Sequence, residues 1–287
     1  MQPTIEQLIL EHGTRGIEKL TQYLPPDYAT RAARALYGSP RVLMTTGFYV
    51  EGRPETDGPP GALFLGRALA ALGASIGFVG EPDVLGLLRA AVEQLWLPEH
   101  LKDACPPDFI EFPVADATAS RALTQQIILD WQPNAVVAIE RCGCTQSDCF
   151  RNMLGLDIST WTARLDDLFT QPGVTTVAIG DGGNEIGMGS LAEPICRELG
   201  ITDPVKTSVD HLVLAAVSNW GAYGIIAYLS RLAGQDLLPA DSEEATALEI
   251  MVARGAIDGL TRRAELSVDG FPLEASSALI GVLRREI

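Results

Sequence analysis

The chain has 287 residues, a hydrophobic fraction of 47% and a formal net charge of −16. The apolar fraction is large enough for a buried core, which excludes a disordered chain. The negative charge argues against nucleic acids and anionic membranes as partners, because both are bound by clustered Lys and Arg.

Strand-like apolar runs alternate with helical patterns after a mostly helical leader at residues 1–40. Five apolar runs are predicted to be strands: Val42–Gly47, Ser75–Val79, Ala135–Ile139, Val174–Ile179 and Leu212–Ala216. Between and after them, the apolar spacing predicts helices at Pro59–Leu72, Asp83–Leu95, Thr118–Trp131, Thr160–Phe169, Glu185–Leu199, Asn219–Leu232, Asp241–Arg254 and Leu273–Arg285. The proline-containing region Leu97–Pro113 is predicted to be loop.

This alternation predicts an α/β fold with a mainly parallel sheet and helices on both faces, a Rossmann-like three-layer sandwich. We expect residues 1–287 to form a single domain, with the leader at residues 1–40 packed on it. In such sheets ligands bind where loops leave the carboxyl ends of the strands. Polar residues of this chain collect at those loops, so a small-molecule site is expected there.

The uncharged stretch from Leu212 to Ser230 is about as long as a membrane span. Its middle contains Ser218, Asn219 and Gly221, which favours a buried strand, a polar turn and an apolar helix. The five cysteines are an odd number, which is not typical of a disulfide framework. Together with an N-terminus that lacks a secretory pattern, this predicts a cytoplasmic protein without a membrane segment. The sequence is also compatible with a homo-oligomer.

The strongest local signal is the glycine-rich loop Gly180–Gly189, directly after a predicted strand. Asp181, Asn184 and Glu185 stand there among five glycines. Such a cluster can hold a divalent cation, Mg or Mn, or position an amino group, whereas a plain turn would use only one acid as a helix cap. The spacing fails the G-x-G-x-x-G pattern because Glu185 occupies the place of its third glycine, so neither a nicotinamide nor a flavin cofactor is expected.

A second polar loop follows the first strand and contains Glu55, Asp57 and Gly58 before the helix at Pro59. Asp57 is a candidate N-cap for that helix. Alternatively, the free backbone N–H groups at the helix start could bind a substrate carboxylate, with Glu55 and Asp57 facing an amine or a metal. The spacing does not decide between the two.

Other loops offer weaker signals. Glu140 and Arg141 leave a predicted strand as either a structural ion pair or a carboxylate clamp. Cys142, Cys144 and Cys149 could bind zinc, but a fourth ligand is absent nearby in the sequence. Polar residues also follow the strand at Leu212–Ala216, and two Asp-Gly pairs near the C-terminus are predicted to be ordinary turns. These residues are Ser218 and Asn219, and Asp258-Gly259 and Asp269-Gly270.

Several segments resemble one family, the D-glutamate cyclases. They span about residues 45 to 275 and read TTGFYVEGRPETDGPPGALFLGRALAALG, AIER, NMLGLDIS, LDDLF, IGDGGNEIGMG, VSNWGAYG and DGLTRRAELSVDGFPLE. The resemblance implies closure of D-glutamate to 5-oxo-D-proline with loss of water. It also implies a Pro-Gly-Arg stretch after Glu140-Arg141, but this chain has Cys142 to Cys149 there, so an expected basic residue is missing.

For this reaction we expect Asp181 and Glu185 to act as base and metal ligands, Asn184 to orient the substrate, and Asp57 to assist. Arg141 is expected to bind the α-carboxylate. The full set expected to bind substrate is Glu55, Gly58, Glu140, Arg141, Asn152, Gly182, Gly183, Ser218 and Asn219. Three other functions stay open: another metal-assisted lyase or hydrolase acting on a small amino acid or lactam, a nucleotide-binding protein, and a non-catalytic small-molecule sensor.

Overall fold

The computed structural model describes residues 3–96 and 105–287. At its centre six strands form a parallel sheet, in the spatial order β5-β4-β1-β6-β7-β8. These strands are β1 (Arg41–Thr46), β4 (Ser75–Gly80), β5 (Asp108–Glu111), β6 (Ala135–Ile139), β7 (Thr175–Gly180) and β8 (His211–Leu214). Two short hairpins lie outside the sheet, β2 (Tyr49–Val50) with β3 (Arg53–Pro54), and β9 (Ser267–Val268) with β10 (Phe271–Pro272). The five predicted strands are confirmed.

Strand β5 corrects the prediction of a loop at Leu97–Pro113. It pairs with β4 alone and is half-exposed, so its four residues carry no buried apolar run that could mark a strand in the sequence. Only the pairing of this edge segment with β4 identifies it as a strand. Residues 97–104 of the predicted loop lie outside the described residues.

Nine α-helices are present within the described residues. They are α1 (Ile5–Leu8), α2 (Tyr28–Leu36), α3 (Pro59–Ala71), α4 (Pro82–Leu95), α5 (Ala117–Trp131), α6 (Ala192–Glu198), α7 (Ser218–Ala233), α8 (Asp241–Ala253) and α9 (Leu273–Arg284). Most match a predicted helix to within a few residues at each end, and two predictions need correction.

The predicted helix at Thr160–Phe169 was wrong: only Asp166–Thr170 is helical, as a short 3₁₀ turn. The cause is competition for the backbone of Ala163. Its N–H donates to Glu81 and its carbonyl accepts from Arg141. Those two groups are therefore unavailable to an α-helical ladder.

The predicted helix at Glu185–Leu199 begins late, since α6 starts at Ala192 after a 3₁₀ turn at Gly189–Leu191. Gly187 has φ +97°, outside the right-handed helical region. The N–H groups of Gly187 and Gly189 both donate to the carbonyl of Thr207. These bonds to a distant segment replace the first turns of the expected helix.

The sheet is covered on both faces, which confirms the predicted α/β three-layer arrangement. Side chains of β4 alternate between the layers: Phe78 packs against Gly66 of α3, whereas Gly77 lies under Trp131 at the end of α5. The two glycines allow close approach, because a Cβ on Gly77 would lie 2.9 Å from the Trp131 ring.

The leader packs against the last sheet strand. The backbone N–H of Ala216, just after β8, donates to the carbonyl of Ile9, and the Tyr28 hydroxyl donates to the carbonyl of Leu214. The uncharged stretch Leu212–Ser230 contains most of β8 and the first part of α7, as predicted. No helix in the two described ranges is both long and apolar enough to cross a bilayer.

Numbering the six sheet strands in chain order gives the spatial order 3-2-1-4-5-6. All six strands are parallel, but the side on which successive strands are added to the sheet reverses between β1 and β6. Such a reversal opens a crevice at the carboxyl ends of the two central strands. The loops after β1, β6 and β7 border this crevice, and they contain the polar residues that the sequence singled out.

Candidate active site

Three buried carboxylates converge in the crevice. Asp57 follows β1 and the β2–β3 hairpin, Glu140 comes directly after β6, and Asp181 comes directly after β7. Each has a carboxylate oxygen within 4.8 Å of an oxygen of the other two. Glu140 has φ +42°, a left-handed conformation that is uncommon for a residue with a side chain. The chain therefore turns sharply at this strand end.

Two helix N-termini beside the cluster are capped by residues from each other's segments. Asp57, which precedes α3, accepts from the N–H groups of Ser218 (2.8 Å) and Asn219 (2.8 Å) at the start of α7. Asn219 in turn accepts from the N–H groups of Gly58 (3.0 Å) and Gly61 (2.8 Å) at the start of α3. Of the two alternatives for this helix start, the contacts favour capping over free N–H groups for a substrate carboxylate, but the side chain that accepts from Gly61 is that of Asn219 and not the candidate Asp57.

Gly58 is required at this junction for steric reasons. It has φ +97°, and a Cβ there would lie 2.5 Å from the Thr46 hydroxyl and 2.8 Å from the Cβ of Glu140. Its N–H donates to Asp57 and Asn219, so Gly58 serves the junction rather than contacting a ligand. Ser218 contributes by donating from its hydroxyl to Glu140 Oε2 at 2.6 Å.

Glu185 holds the glycine-rich loop together. Its Oε1 accepts from the N–H groups of Asp181 and Gly182, and its Oε2 accepts from that of Gly183, at 2.6–3.1 Å. Both oxygens are thus used within the loop, and Glu185 is absent from the group of three converging carboxylates. These contacts give Glu185 a structural role in place of the expected base and metal roles, and they occupy the N–H groups of Gly182 and Gly183.

Arg141 is held inside the fold by an ion pair. Its guanidinium forms a bidentate ion pair with Glu81, with both bonds at 2.6 Å, and also donates to backbone carbonyls of Gly47 and Ala163. The Arg141 side chain is fully buried and is not among the residues that line the site pocket. The structural ion pair suggested by the sequence is therefore corrected in its partner: Arg141 pairs with Glu81 and not with Glu140, which accepts from Ser218 instead.

Arg15, which belongs to the leader, places a positive charge in the site, where Arg141 does not. It pairs with Asp181 through Nη1 and with Asp269 through Nη2 at 2.5 Å. Burial opposes the charge of Arg15, but Asp181 and Asp269 outweigh it and raise the pKa of the guanidinium, which stays protonated. Nothing local in the sequence marked Arg15, because its partners lie 166 and 254 residues away.

Asp269 was expected to be an ordinary turn residue, and it does lie in a turn. Asp269 and Gly270 connect β9 to β10 with φ values of +52° and +77°, which is typical of a two-residue hairpin turn. Asp258 anchors this hairpin by accepting from the Ser267 hydroxyl and the Gly270 N–H. The turn thereby also delivers a buried carboxylate to Arg15.

A pocket of about 320 Å³ opens beside the cluster. Its polar groups include Arg15, Glu55, Glu140, Asn152 and Asn184. Apolar side chains form much of the remaining wall, and an exposed ion pair contributes at the surface. These wall residues are Phe48, Val50, Met153, Leu154, Leu156 and Leu260, and the ion pair is Glu51 with Arg262.

Glu55 is the carboxylate that this pocket leaves most available. It is only 5% exposed, and its side chain has no hydrogen-bond partner within the described residues. Gly259 makes room for it, because a Cβ at that position would lie 2.0 Å from Glu55 Oε2. Asp181 Oδ2 and Asn184 Oδ1 are also buried without a partner in the described parts of the chain.

Asn152 and Asn184, the two asparagines that line the pocket, form different hydrogen bonds. Asn184 donates from Nδ2 to the Arg151 carbonyl, which leaves its carbonyl oxygen free. Asn152 uses its Oδ1 to accept from the N–H groups of Leu154 and Leu156, which closes the loop at the pocket wall. Both asparagines therefore border the pocket.

The pKa values of the clustered acids are raised. Burial is the largest cause for Glu55, Asp57, Glu140 and Asp181, and neighbouring carboxylates add to it. For Asp57 the result is a pKa of about 8. Asp57 therefore retains a proton near neutral pH, and repulsion among these buried acids favours the entry of a cation such as an ammonium group or a metal ion.

The cysteine loop lies next to this site but uses its thiols differently. Burial raises the pKa of Cys142 well above its ordinary value and that of Cys144 to about 11. Their sulfur atoms contact the Arg151 carbonyl and Asp148, respectively. Burial therefore favours the neutral thiol at both positions.

The strand order and the carboxylate-lined crevice define an α/β protein with a small-molecule pocket at its topological switch point. A family model described as D-glutamate cyclase-like, C-terminal, matches residues 5–284, and the chain belongs to this family. It is 29% identical over 313 residues to human mitochondrial D-glutamate cyclase, covering 96% of this chain and 50% of that protein. The chain thus spans about half the length of this curated relative.

Solved structures give weaker similarities. A crystal structure of an exopolyphosphatase-related protein from Bacteroides fragilis has a TM-score of 0.43 and 10% identity, covering 93% of this chain and 58% of that chain. L-sorbose reductase from Gluconobacter frateurii has a TM-score of 0.28 and 13% identity, covering 68% and 64%. Neither similarity bears on the function of this chain.

Proposed function

We propose that this chain is an enzyme that closes D-glutamate to 5-oxo-D-proline with loss of water. The observation that carries the proposal is a group of carboxylates at one pocket beside an arginine: Glu55, Glu140 and Arg15 line the pocket. Asp181, whose buried Oδ2 has no partner in the described residues, lies within 4.8 Å of Glu140. Such a pocket fits a small molecule that carries both an ammonium group and carboxylates. The family and the name of the human relative support the same reaction.

The reaction joins the α-amino nitrogen to the γ-carboxyl carbon, and a γ-carboxyl oxygen leaves as water. The amine must first lose a proton, since an ammonium nitrogen has no lone pair with which to attack. Glu55 is the acceptor that we assign, because its carboxylate faces the pocket and has no other partner in the described chain. The nitrogen loses a second proton once the C–N bond has formed, and both protons pass in turn through Glu55 to the departing oxygen, which leaves as water, so that Glu55 ends the cycle unchanged.

We further propose a divalent cation, Mg or Mn, held by Glu140 and Asp181. Both have an oxygen that accepts no hydrogen bond from a described residue, and the two side chains lie within ligating reach of each other. Asp57 is nearby, but its oxygens already accept three backbone N–H bonds from Gly58, Ser218 and Asn219. When bound, such an ion would stabilise negative charge on the γ-carboxyl oxygens.

The pocket walls support ring closure by confining the substrate. Five-membered ring formation requires the glutamate chain to fold back on itself, and the pocket of about 320 Å³ has room for a glutamate in that conformation. Holding the reacting atoms close can lower an intramolecular barrier by roughly 7–11 kcal/mol. Asn184, with its free carbonyl oxygen, is positioned to orient the amine.

The contacts in the glycine-rich loop argue against the nucleotide-binding alternative. Glu185 occupies the N–H groups of Asp181, Gly182 and Gly183, which are the amides that a phosphate would need. The crevice around them is acidic, which repels phosphate. A ring-opening hydrolase and a non-catalytic sensor would use the same pocket, so direct measurement of turnover must separate them from the cyclase.

The test is NMR of the purified chain with D-glutamate or L-glutamate, with Mn²⁺ or with excess chelator. We expect 5-oxoproline to appear from D-glutamate, and Glu55→Gln to slow it at least about 100-fold. Glu51→Gln is the matched control, because Glu51 lines the same pocket but is exposed and paired with Arg262. Binding of D-glutamate without product would indicate a sensor, and conversion of 5-oxoproline to glutamate alone would indicate a hydrolase.

A further inference from the structure

The pocket presents two cations to a ligand, Arg15 and Arg262. Arg262 lies at the surface, 48% exposed in its side chain, where it pairs with the exposed Glu51. Arg15 lies deeper, 23% exposed, and its partners Asp181 and Asp269 are buried. A negatively charged ligand that enters this acidic crevice therefore meets one interior positive charge among the residues that line the pocket.

We propose that Arg15 binds the α-carboxylate of the substrate, a role that deepens and rests on the function proposed above. A guanidinium has five N–H donors. The ion pairs with Asp181 and Asp269 engage two of them, so donors remain for a carboxylate in the pocket. Since those two acids belong to separate loops, they fix the plane of the guanidinium before a ligand arrives.

The arrangement also explains how one pocket accepts opposite charges. The carboxylates of Glu55 and Glu140 attract the ammonium group, whereas Arg15 on the Asp181 side attracts the carboxylate attached to the same carbon. A ligand that carries an ammonium group and a carboxylate on one carbon can therefore pair with the carboxylates and with Arg15 at the same time. A ligand that has the amine but no α-carboxylate leaves Arg15 without its third partner.

Other arginines near the site are committed elsewhere. Arg141 is buried against Glu81, and Arg151 pairs with Asp203 and donates to the Gly155 carbonyl. Neither is among the described residues that line the pocket. Arg15 from the leader thus takes the place of the basic residue that the 142–149 stretch lacks.

The experiment compares the binding of two ligands by calorimetry, D-glutamate and 4-aminobutyrate, which retains the amine and the γ-carboxylate but has no α-carboxylate. We expect the natural chain to prefer D-glutamate by about 10- to 100-fold, the range for a charged hydrogen-bonded contact. Arg15→Gln should reduce that preference to within about threefold by weakening D-glutamate alone. Arg262→Gln, the matched control, should keep the preference.

Equal weakening of both ligands by Arg15→Gln, an unchanged preference, or no preference in the natural chain would each overturn the proposal. If Arg15→Gln does not fold, Arg15→Lys retains the charge beside Asp181 and Asp269 but not the planar fork, and the same reduced preference is expected. Because ligand affinity and product formation are measured separately, a chain that prefers D-glutamate yet makes no product would defeat the cyclase function and leave this assignment intact.

Discussion

Asp57 and Asn219 cap each other's helices: Asp57 accepts from the first N–H groups of α7, and Asn219 accepts from the first N–H groups of α3. The two contacts join loops that are about 160 residues apart in the chain. They fix the distance between the loops after β1 and β8, and with it the position of the carboxylate cluster.

Asn219→Ala should lower the free energy of unfolding by about 2 kcal/mol or more, because it leaves the buried N–H of Gly61 without an acceptor. Urea unfolding measures the loss. Asp116→Ala is the control, since Asp116 caps the exposed start of α5 and its removal should cost only about 1 kcal/mol. Equal losses would mean that the Asn219 contacts are ordinary surface caps.

Arg141→Gln should destabilise the chain by about 3–5 kcal/mol, since it leaves the Glu81 carboxylate buried without its ion-pair partner. The affinity of the folded fraction for D-glutamate should change less than about threefold, in contrast to Arg15→Gln. Thermal unfolding and calorimetry below the unfolding transition measure the two effects. A large loss of affinity without loss of stability would restore Arg141 as a substrate clamp.

The raised pKa values predict an unusual dependence of stability on pH. The ordinary pKa of Asp is about 3.9, whereas that of Asp57 in the folded chain is about 8. Between these values the folded state keeps a proton that the unfolded state has released. The free energy of unfolding should therefore be highest at the acidic end of this window and should fall by at least about 1 kcal/mol as the pH rises through it.

Urea unfolding in chelator at pH 5, 7 and 9 tests this trend. Burial also raises the pKa of Glu244 to about 7, which acts in the same direction. Glu140→Gln separates the contribution of the carboxylate cluster from that of Glu244. It removes one of the repelling carboxylates, so the pH dependence of stability should become shallower. Stability that stays flat or rises over this range would contradict the assignment of protons to the cluster.

Binding of Mn²⁺, followed by electron paramagnetic resonance, should weaken at least about 10-fold in Glu140→Gln and in Asp181→Asn, since each removes a charged ligand. Glu185→Gln should leave Mn²⁺ affinity nearly unchanged and instead lower stability by about 2 kcal/mol, because it disturbs three bonds to backbone N–H groups. If Glu185→Gln weakens Mn²⁺ as much as Asp181→Asn does, Glu185 is a ligand after all.

The sequence by itself determined the layered α/β fold, because the central strands are apolar on both faces and the segments between them space their apolar residues with the period of a helix. It also indicated the loops that border the site, since Asp57, Glu140, Asp181 and Asn184 all stand at or near strand ends. Edge strand β5 and the turn at Asp166–Thr170 escaped it, because long-range partners rather than local pattern decide their conformations.

Only the tertiary structure decided which polar groups are free to act. Glu185, Arg141 and Asn219 have the residue types of a site, yet each already binds partners within the fold. Glu55 is left without such partners, and Arg15 reaches the pocket from a leader that carried no signal. A side chain is available for chemistry only when the folded chain leaves its hydrogen bonds unfilled, and that depends on groups far away in the sequence, as Asp269 is from Arg15.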